Sequence, residues 1–336
     1  MTFSRSGLST IFTWIFVLVA GSLLVTLFYT VSTQQLSAAE ERQARTALTQ
    51  IDGLLSQQTP EEGARVNIPS VEMRLVCQPI TTDDDVQLIS ELQIAPYTRS
   101  TETLLLAGQN QQTTELLLAH KQLRLPYNTG SVLLVSSEEE LLVIENDELR
   151  EEINESLPEI LRGQLTEQAP SNVQQYTTVR YLHVDKTSNP DRASNEYDIA
   201  IDFDSPNNLY RGGTISYYED EDWTDAYDFA GDAMLLGLIW QAQPAPASCL
   251  QHKLSDAIQR QAQAHLERVR RFRNAYQGTS CEARYTEQAL RNLNNTPQQI
   301  GQENPLYTFP DLSKNALAVH RQNEAMLRGE RCATIY

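Results

Sequence analysis

The alternation of apolar and polar positions breaks down at one place, near the N-terminus. Leu8 to Val31 reads LSTIFTWIFVLVAGSLLVTLFYTV, twenty-four residues without a charge. As a helix this run is about 36 Å long, enough to cross a hydrocarbon core of about 30 Å with some tilt. A secretory leader has an apolar core of about 7–15 residues and a small-x-small cleavage site. Here the run continues into Phe28 and Tyr29, and a cut at Ala20-Gly21-Ser22 would leave an apolar Leu23–Tyr29 terminus. The pattern predicts an uncleaved transmembrane helix over 8–31 behind a short tail, 1–7. Trp14 and Tyr29 stand towards its two ends, where aromatic rings suit the membrane interfaces.

Helical periodicity then continues. Ala44, Leu48, Ile51 and Leu55 recur at spacings of four, three and four, so 32–58 reads as a stalk helix with one apolar face, ended by Thr59-Pro60. That face fits the body of the protein, a partner helix or a second copy of the chain.

The region 59–145 is strand-rich. Strands are expected at Val71–Val76, Val86–Ala95, Thr103–Ala107, Ser131–Ser136 and Leu141–Ile144, with Pro79 and Pro96 as boundaries and a helix over Thr114–Leu123. In 146–240, a helix over Asp147–Gln168 presents Leu149, Ile153, Leu157, Ile160 and Leu161, with Pro158 kinking or splitting it. Strands follow at Thr177–Val184, Tyr197–Phe203 and Gly213–Tyr218, the last entered by a turn at Arg211-Gly212-Gly213. Asp228–Trp240 is apolar enough for either helix or strand. The stretch 241–248, beginning QAQPAPA, reads as a linker. In 249–336, Leu250, Leu254, Ile258, Ala262, Leu266, Val269, Phe272 and Tyr276 mark one face of a long helix. Two more helices follow, Cys281–Leu293 and Leu312–Arg328, with Asp311 as N-cap and Gly329 as C-terminal stop. The expected fold is α+β: an N-terminal transmembrane helix, a mixed strand-rich body and a C-terminal helical bundle.

Four cysteines, Cys77, Cys249, Cys281 and Cys332, allow two disulfides in three connectivities, and none forms a CxxC pair. A straight helix of about 28 residues between Cys249 and Cys281 separates them by about 42 Å, too far to bridge. A third helix antiparallel to the second returns Cys332 to Cys281. The expectation is Cys281–Cys332, leaving Cys77 with Cys249.

Charge narrows the partners. The net charge is −18, which argues against nucleic acid. Only Lys121, Lys186, Lys253 and Lys314 are lysines among 26 basic residues. Such an acidic, lysine-poor chain resembles the proteins of salt-loving archaea, whose dense carboxylates stay hydrated where salt screens repulsion. A GC-rich genome that swaps Lys codons for Arg codons gives the same bias. Around the anchor, Arg5 and the α-amino group precede the span, and Glu40 and Glu41 come before Arg42 and Arg45. The positive-inside rule then expects a cell-membrane protein with a cytoplasmic N-tail and an extracellular body. Two sequons, Asn154-Glu155-Ser156 and Asn294-Asn295-Thr296, are compatible with that.

Catalytic chemistry leaves little trace. The histidines at 120, 183, 252, 265 and 320 lack the HExxH spacing, and GxSxG, GxGxxG and GxxxxGK are absent. No catalytic residue and no cofactor is assigned. The segment YYEDEDWTDAYDFAGD supplies a Ca²⁺ candidate in Asp220, Asp222, Asp225 and Asp228, though its spacing is not that of an EF-hand loop. An acidic surface loop, like Asp83–Asp85, is the plainer reading. Arg268, Arg270, Arg271 and Arg273 form a basic patch that suits anionic lipid, an acidic partner or the protein's own carboxylates.

The beginning, RSGLSTIFTWIFVLVAG, and the ending, NEAMLRGERCATIY, resemble a family of single-span membrane proteins from small-genome archaea. The resemblance implies a short tail, a span rich in Phe, Trp and Gly, a mixed domain, and a cysteine-bearing helical end. Its closing residues would here be Asn323, Leu327, Cys332 and Tyr336. It carries no activity. The N-terminus also looks like that of an archaeal type IV pilin, with Arg5, Gly7 and Leu8-Ser9 around a processing point. Phe12 stands where such pilins have Glu.

The reading is a membrane-anchored cell-envelope protein with an extracellular interaction or scaffolding role, held in the bilayer by Leu8 to Val31. The alternatives are a pilin-like filament subunit and a membrane-tethered hydrolase.

Overall fold

A computed structural model describes all residues except 1–4, 57–62, 83–84, 95–96, 102–103, 108–110, 126, 185, 187–195, 204–211, 220–221, 225–226, 242–243, 300–308 and 330–331. The side chains of Cys77 and Cys249 also lie outside the described set, and with them the second disulfide expected from the sequence.

The expected span and stalk are one unbroken helix, α1, Arg5–Ser56. Its 52 residues make it about 78 Å long. Its packing partners in the body are β1 (Ala64–Thr82) and β3 (Tyr97–Thr101).

Two sheets follow. The first has the strand order β3-β2-β1-β5-β6-β4, where β2 is Asp85–Ile94, β4 Leu104–Ala107, β5 Gln111–Arg124 and β6 Asn128–Ser136. It is antiparallel except where β4 runs parallel to β6. Two expectations are corrected here. The segment 114–123, expected as a helix, is the middle of β5. Leu116, Leu117, Leu118 and Ala119 are all buried, and β5 pairs with β1 on one side and β6 on the other. Leu, Ala, Lys and Gln favour helix by intrinsic propensity, but two flanking strands and burial on both faces outweigh a few tenths of a kcal/mol per residue. Pro79, expected to end its strand, lies inside β1 opposite Leu88. The pairing of β1 with β5 runs only from Ala64 to Met73, so Pro79 lies where β1 is paired on one side alone, a position that accommodates proline. Pro69 falls within the register break between Asn67 and Val71, a usual place for proline.

The second sheet has the order β12-β11-β10-β9-β7-β8, with β13 also on β11. Its centre is parallel: β7 (Glu140–Ile144), β9 (Thr178–His183) and β10 (Glu196–Phe203). β8 (Leu165–Thr166) adds in parallel to β7. β11 (Gly212–Glu219) runs antiparallel to β10, and β12 (Asp222–Trp223) and β13 (Tyr227–Ala230) are antiparallel to β11. The two Gly residues of the expected turn instead open β11, and Arg211 is outside the described residues. Gly213 has to be glycine: a Cβ there would lie 2.1 Å from the Asp202 carbonyl oxygen.

Between β7 and β8 runs α2 (Asp147–Ser156), capped by Asn146, whose side chain accepts from the Leu149 amide at 2.9 Å. The helix expected to Gln168 is split at Pro158, which leads into a 3-10 turn, Glu159–Gln164. Asp228–Trp240 is both elements proposed for it. It is strand to Ala230, then Gly231 at φ +79° turns the chain into α3, Asp232–Gln241. From Ala233 onward every α3 residue is buried, and the helix packs on β4, β5, β6, β13 and α4.

The expected linker 241–248 is corrected as well, because α4 spans Pro244–Ala275. Pro244 and Pro246 occupy the first turn, where an amide N–H has no partner in the helix anyway. The predicted apolar face is the buried one, from Leu250 to Val269. The second C-terminal helix starts later than expected: a 3-10 turn at Glu282–Arg284 precedes α5, Gln288–Gln299. α6, Phe309–Gly329, packs on α5, β11 and β13. Asp311, expected as its N-cap, lies inside α6. Cys281 and Cys332 are bonded, with Cα atoms 5.7 Å apart, as the antiparallel return of α6 predicts. One cluster of buried side chains runs from β5 and β6 through the second sheet to these helices.

Candidate functional site

α1 carries the largest functional signal. The stretch Trp14–Leu36 is 23 residues, long and apolar enough to cross a membrane, and 0% of it is buried by the body. It runs five residues past Val31 because Ser32, Thr33, Gln34 and Gln35 are polar but uncharged. Four of its hydroxyls are satisfied within the helix. Ser22 donates to Val19 O at 2.9 Å, Thr26 to Ser22 O at 2.8 Å, Thr30 to Thr26 O at 2.8 Å and Thr33 to Tyr29 O at 3.0 Å. Hydrocarbon offers no hydrogen bonds, so such back-bonding lets these residues face lipid at low cost.

Of the Ca²⁺ candidates, Asp220 and Asp225 lie outside the described residues. Asp222 is exposed on β12 and Asp228 half-buried on β13, so both flank β11. Among the described residues, no group of three or more His, Cys, Asp or Glu side chains is gathered to hold a metal ion.

A buried polar network joins the two sheets, and sequence reading missed it. Arg180 on β9 and Glu140 on β7 are each 1% exposed, and Arg180 Nη1 donates to Glu140 Oε2 at 2.7 Å. Ser136 at the end of β6 donates to the same Oε2 at 3.0 Å, and Gln164 donates to Ser136 Oγ at 2.9 Å and to the Ser137 carbonyl. Arg180 Nη2 donates to the Trp240 carbonyl at 3.1 Å, and the guanidinium lies 5.7 Å from the Trp240 ring centre. The network therefore ties β6, β7, β9, the Gln164 turn and α3 together at one point. Sequence could not show it, because Glu140 begins a strand next to an acidic turn and reads as surface.

The opposite face of the same sheet carries a second polar row. His183 Nε2 and Asp198 Oδ1 lie 2.6 Å apart, and the Tyr181 hydroxyl donates to Glu196 Oε1 at 2.6 Å. The Asp198 side chain is 1% exposed and that of His183 19%. A buried carboxylate behind a partly exposed imidazole fixes the ring orientation, the arrangement used to present a proton acceptor. The parallel pairing of β9 with β10 places these residues side by side; nothing in their sequence spacing announces it.

At the C-terminal helices, the segment from Cys332 to Tyr336 is clamped. Asn323 Oδ1 accepts from the Ile335 amide at 2.7 Å, and Tyr285 donates to the Ala333 carbonyl at 2.9 Å. The Tyr336 ring packs edge-on to Tyr127, 5.7 Å away, and its hydroxyl lies 3.1 Å from His320 Nδ1. The His265 ring lies tilted against Tyr127, centroids 4.2 Å apart, and approaches the Ile335 carbonyl at 3.3 Å. Three of the four residues singled out at the chain's end thus have structural work, while Leu327 is 63% exposed.

Burial holds His265 below the ordinary imidazole value, outweighing the upward effect of its bond to Ile335, and burial also lowers His120 on β5. The sign follows directly. The unfolded chain takes up these protons near pH 6.5 while the fold still resists them, so stability falls as pH drops through and below that point. Urea midpoints are expected to decrease between pH 8 and pH 5, and His265→Asn with His120→Asn should flatten the slope. An equal slope in that double variant would refute the assignment.

The basic patch largely serves the protein itself. Arg270 bonds Glu287 at 3.2 Å, Arg271 lies 3.8 Å from Glu267, and Arg268 sits over the Phe272 ring at 5.3 Å. Hydrogen bonding from Arg291 holds the Glu287 carboxyl below the usual carboxylate range. His252 is exposed on α4, thirteen residues from His265, and the two form no common site.

No family model, curated protein or solved structure matches this chain.

Proposed function

We propose that the chain is a membrane-anchored envelope protein whose α+β body acts outside the cell in interaction or scaffolding. One observation carries the reading: the uncharged half of α1 stands clear of the body with its side chains exposed and its Ser22, Thr26, Thr30 and Thr33 hydroxyls bonded internally. A soluble protein leaving 23 such residues in water would aggregate. The same helix continues to Ser56 and packs on β1 and β3, so the bilayer and the body share one rigid element. The disulfide suits an oxidising compartment.

The test is alkaline carbonate extraction of membranes, followed by sedimentation. The full chain is expected in the pellet, and a variant lacking 8–31 is expected in the supernatant, folded and with Cys281–Cys332 intact. Full-length protein in the carbonate supernatant would end the anchor reading.

One feature favours a pilin-like subunit as the second reading. A single helix, apolar and free over its first half and reaching the body at β1 and β3, can bundle with copies of itself. In that case the membrane-extracted chain begins at Leu8 and filaments form. A full-length N-terminus and an absence of filaments would dismiss it.

A further inference from the structure

The two Asn-x-Ser/Thr acceptor patterns fall in different surroundings. Asn154 is exposed near the end of α2, and its side chain has no hydrogen-bond partner among the described residues. It borders an open recess of about 640 Å³ lined by Asp147, Arg150, Glu151, Arg162 and Glu167, donors and acceptors suited to sugar hydroxyls. Arg150 is itself committed to Asp147 and the Ile144 carbonyl, so the rim is held in place. Asn294 lies mid-way along α5. Its amide oxygen is enclosed by protein, and its nitrogen donates to Asn295 Oδ1 at 3.4 Å.

We propose that Asn154 is an N-glycan attachment site and that Asn294 is not, an inference that rests on the external placement of the body proposed above. In the transfer, the Asn154 amide nitrogen bonds to C1 of a sugar carried on a polyisoprenyl phosphate. The bond from C1 to the phosphate oxygen breaks, the lipid phosphate leaves with the electron pair, and the amide loses one proton. Ser156, the hydroxyl of the acceptor pattern, is buried once α2 docks, with Lys121 donating to its carbonyl at 2.8 Å. Transfer therefore precedes docking. That order is physically open, because α2 has ten residues, and helices shorter than about 12–15 are marginal in isolation. After folding, a glycan on Asn154 projects into solvent over the recess. On Asn294 it would force the enclosed amide out of α5, so the folded protein does not carry it.

Trypsin separates the two positions, giving peptides 151–162 and 292–314. Mass spectrometry of full-length protein from membranes of its own cells is expected to show sugar increments on the first and none on the second. Both Asn154→Gln and Ser156→Ala should abolish the increment, the latter with Asn154 still present. In parallel, intact cells are treated with an impermeant amine-reactive ester, which reads the exposed Lys186 and Lys314 of the body. Labelled lysines with an unmodified 151–162 peptide overturn the glycan while the external reading stands. Sugar on 292–314 overturns the selection by burial. Lysines protected until the cells are lysed sink the external reading, and the inference with it.

Discussion

Replacing Cys281 and Cys332 together by serine is expected to lower the free energy of unfolding by about 4 kcal/mol. The estimate comes from the chain entropy that a cross-link over 51 residues removes from the unfolded state. The native contacts add to the expectation. The bridge acts together with the Asn323 and Tyr285 hydrogen bonds, the Tyr336 ring and the buried Ile335 to hold the last five residues against α6, the turn before α5 and Tyr127, so opening it loosens the chain end. Urea unfolding of the body lacking 8–31 measures this directly. Midpoints within error of the parent would mean that the clamp stands without its covalent link. A loss near 4 kcal/mol that persists in high salt would separate it from surface electrostatics, which salt screens.

Removing one member of the Arg180–Glu140 pair should cost nearly as much. Arg180→Ala leaves a buried carboxylate without its cation, and Glu140→Ala leaves a buried guanidinium. Each is expected to destabilise by about 3–5 kcal/mol. Replacing both at once, Arg180→Met with Glu140→Leu, removes the uncompensated charge and should recover most of the loss, since desolvating an ion pair offsets much of its attraction. Arg180→Met and Glu140→Leu made singly complete a double-mutant cycle with that pair. Additive losses would show that the pair does not act as a unit, and that the two residues stabilise through packing alone. The network also leaves Glu140 Oε1, Arg180 Nε and Trp240 Nε1 without partners among the described residues. That incomplete satisfaction is a reason to expect the apolar pair to be tolerated.

Much of the fold was legible in local pattern, and each miss has its own physical cause. The α4 face from Leu250 to Val269 and the split at Pro158 follow from period and from proline stereochemistry, which neighbours do not alter. The helix expected at 114–123 failed because β1 and β6 supply the pairing, β6 from across a short turn and β1 from far earlier in the chain. The linker at 241–248 failed because proline was counted as a breaker without regard to position, whereas the first turn of α4 tolerates it.

The sequence by itself determined that an uncharged run near the N-terminus forms a long apolar helix, and that α6 returns Cys332 to Cys281. Both are consequences of composition and helical length. Only the tertiary structure decided which polar residues meet. Glu140 finds Arg180 forty residues away, and His183 finds Asp198, because parallel strands β7, β9 and β10 set them side by side. The register of a parallel pair is fixed by the crossover and by burial of both faces, which no single strand encodes.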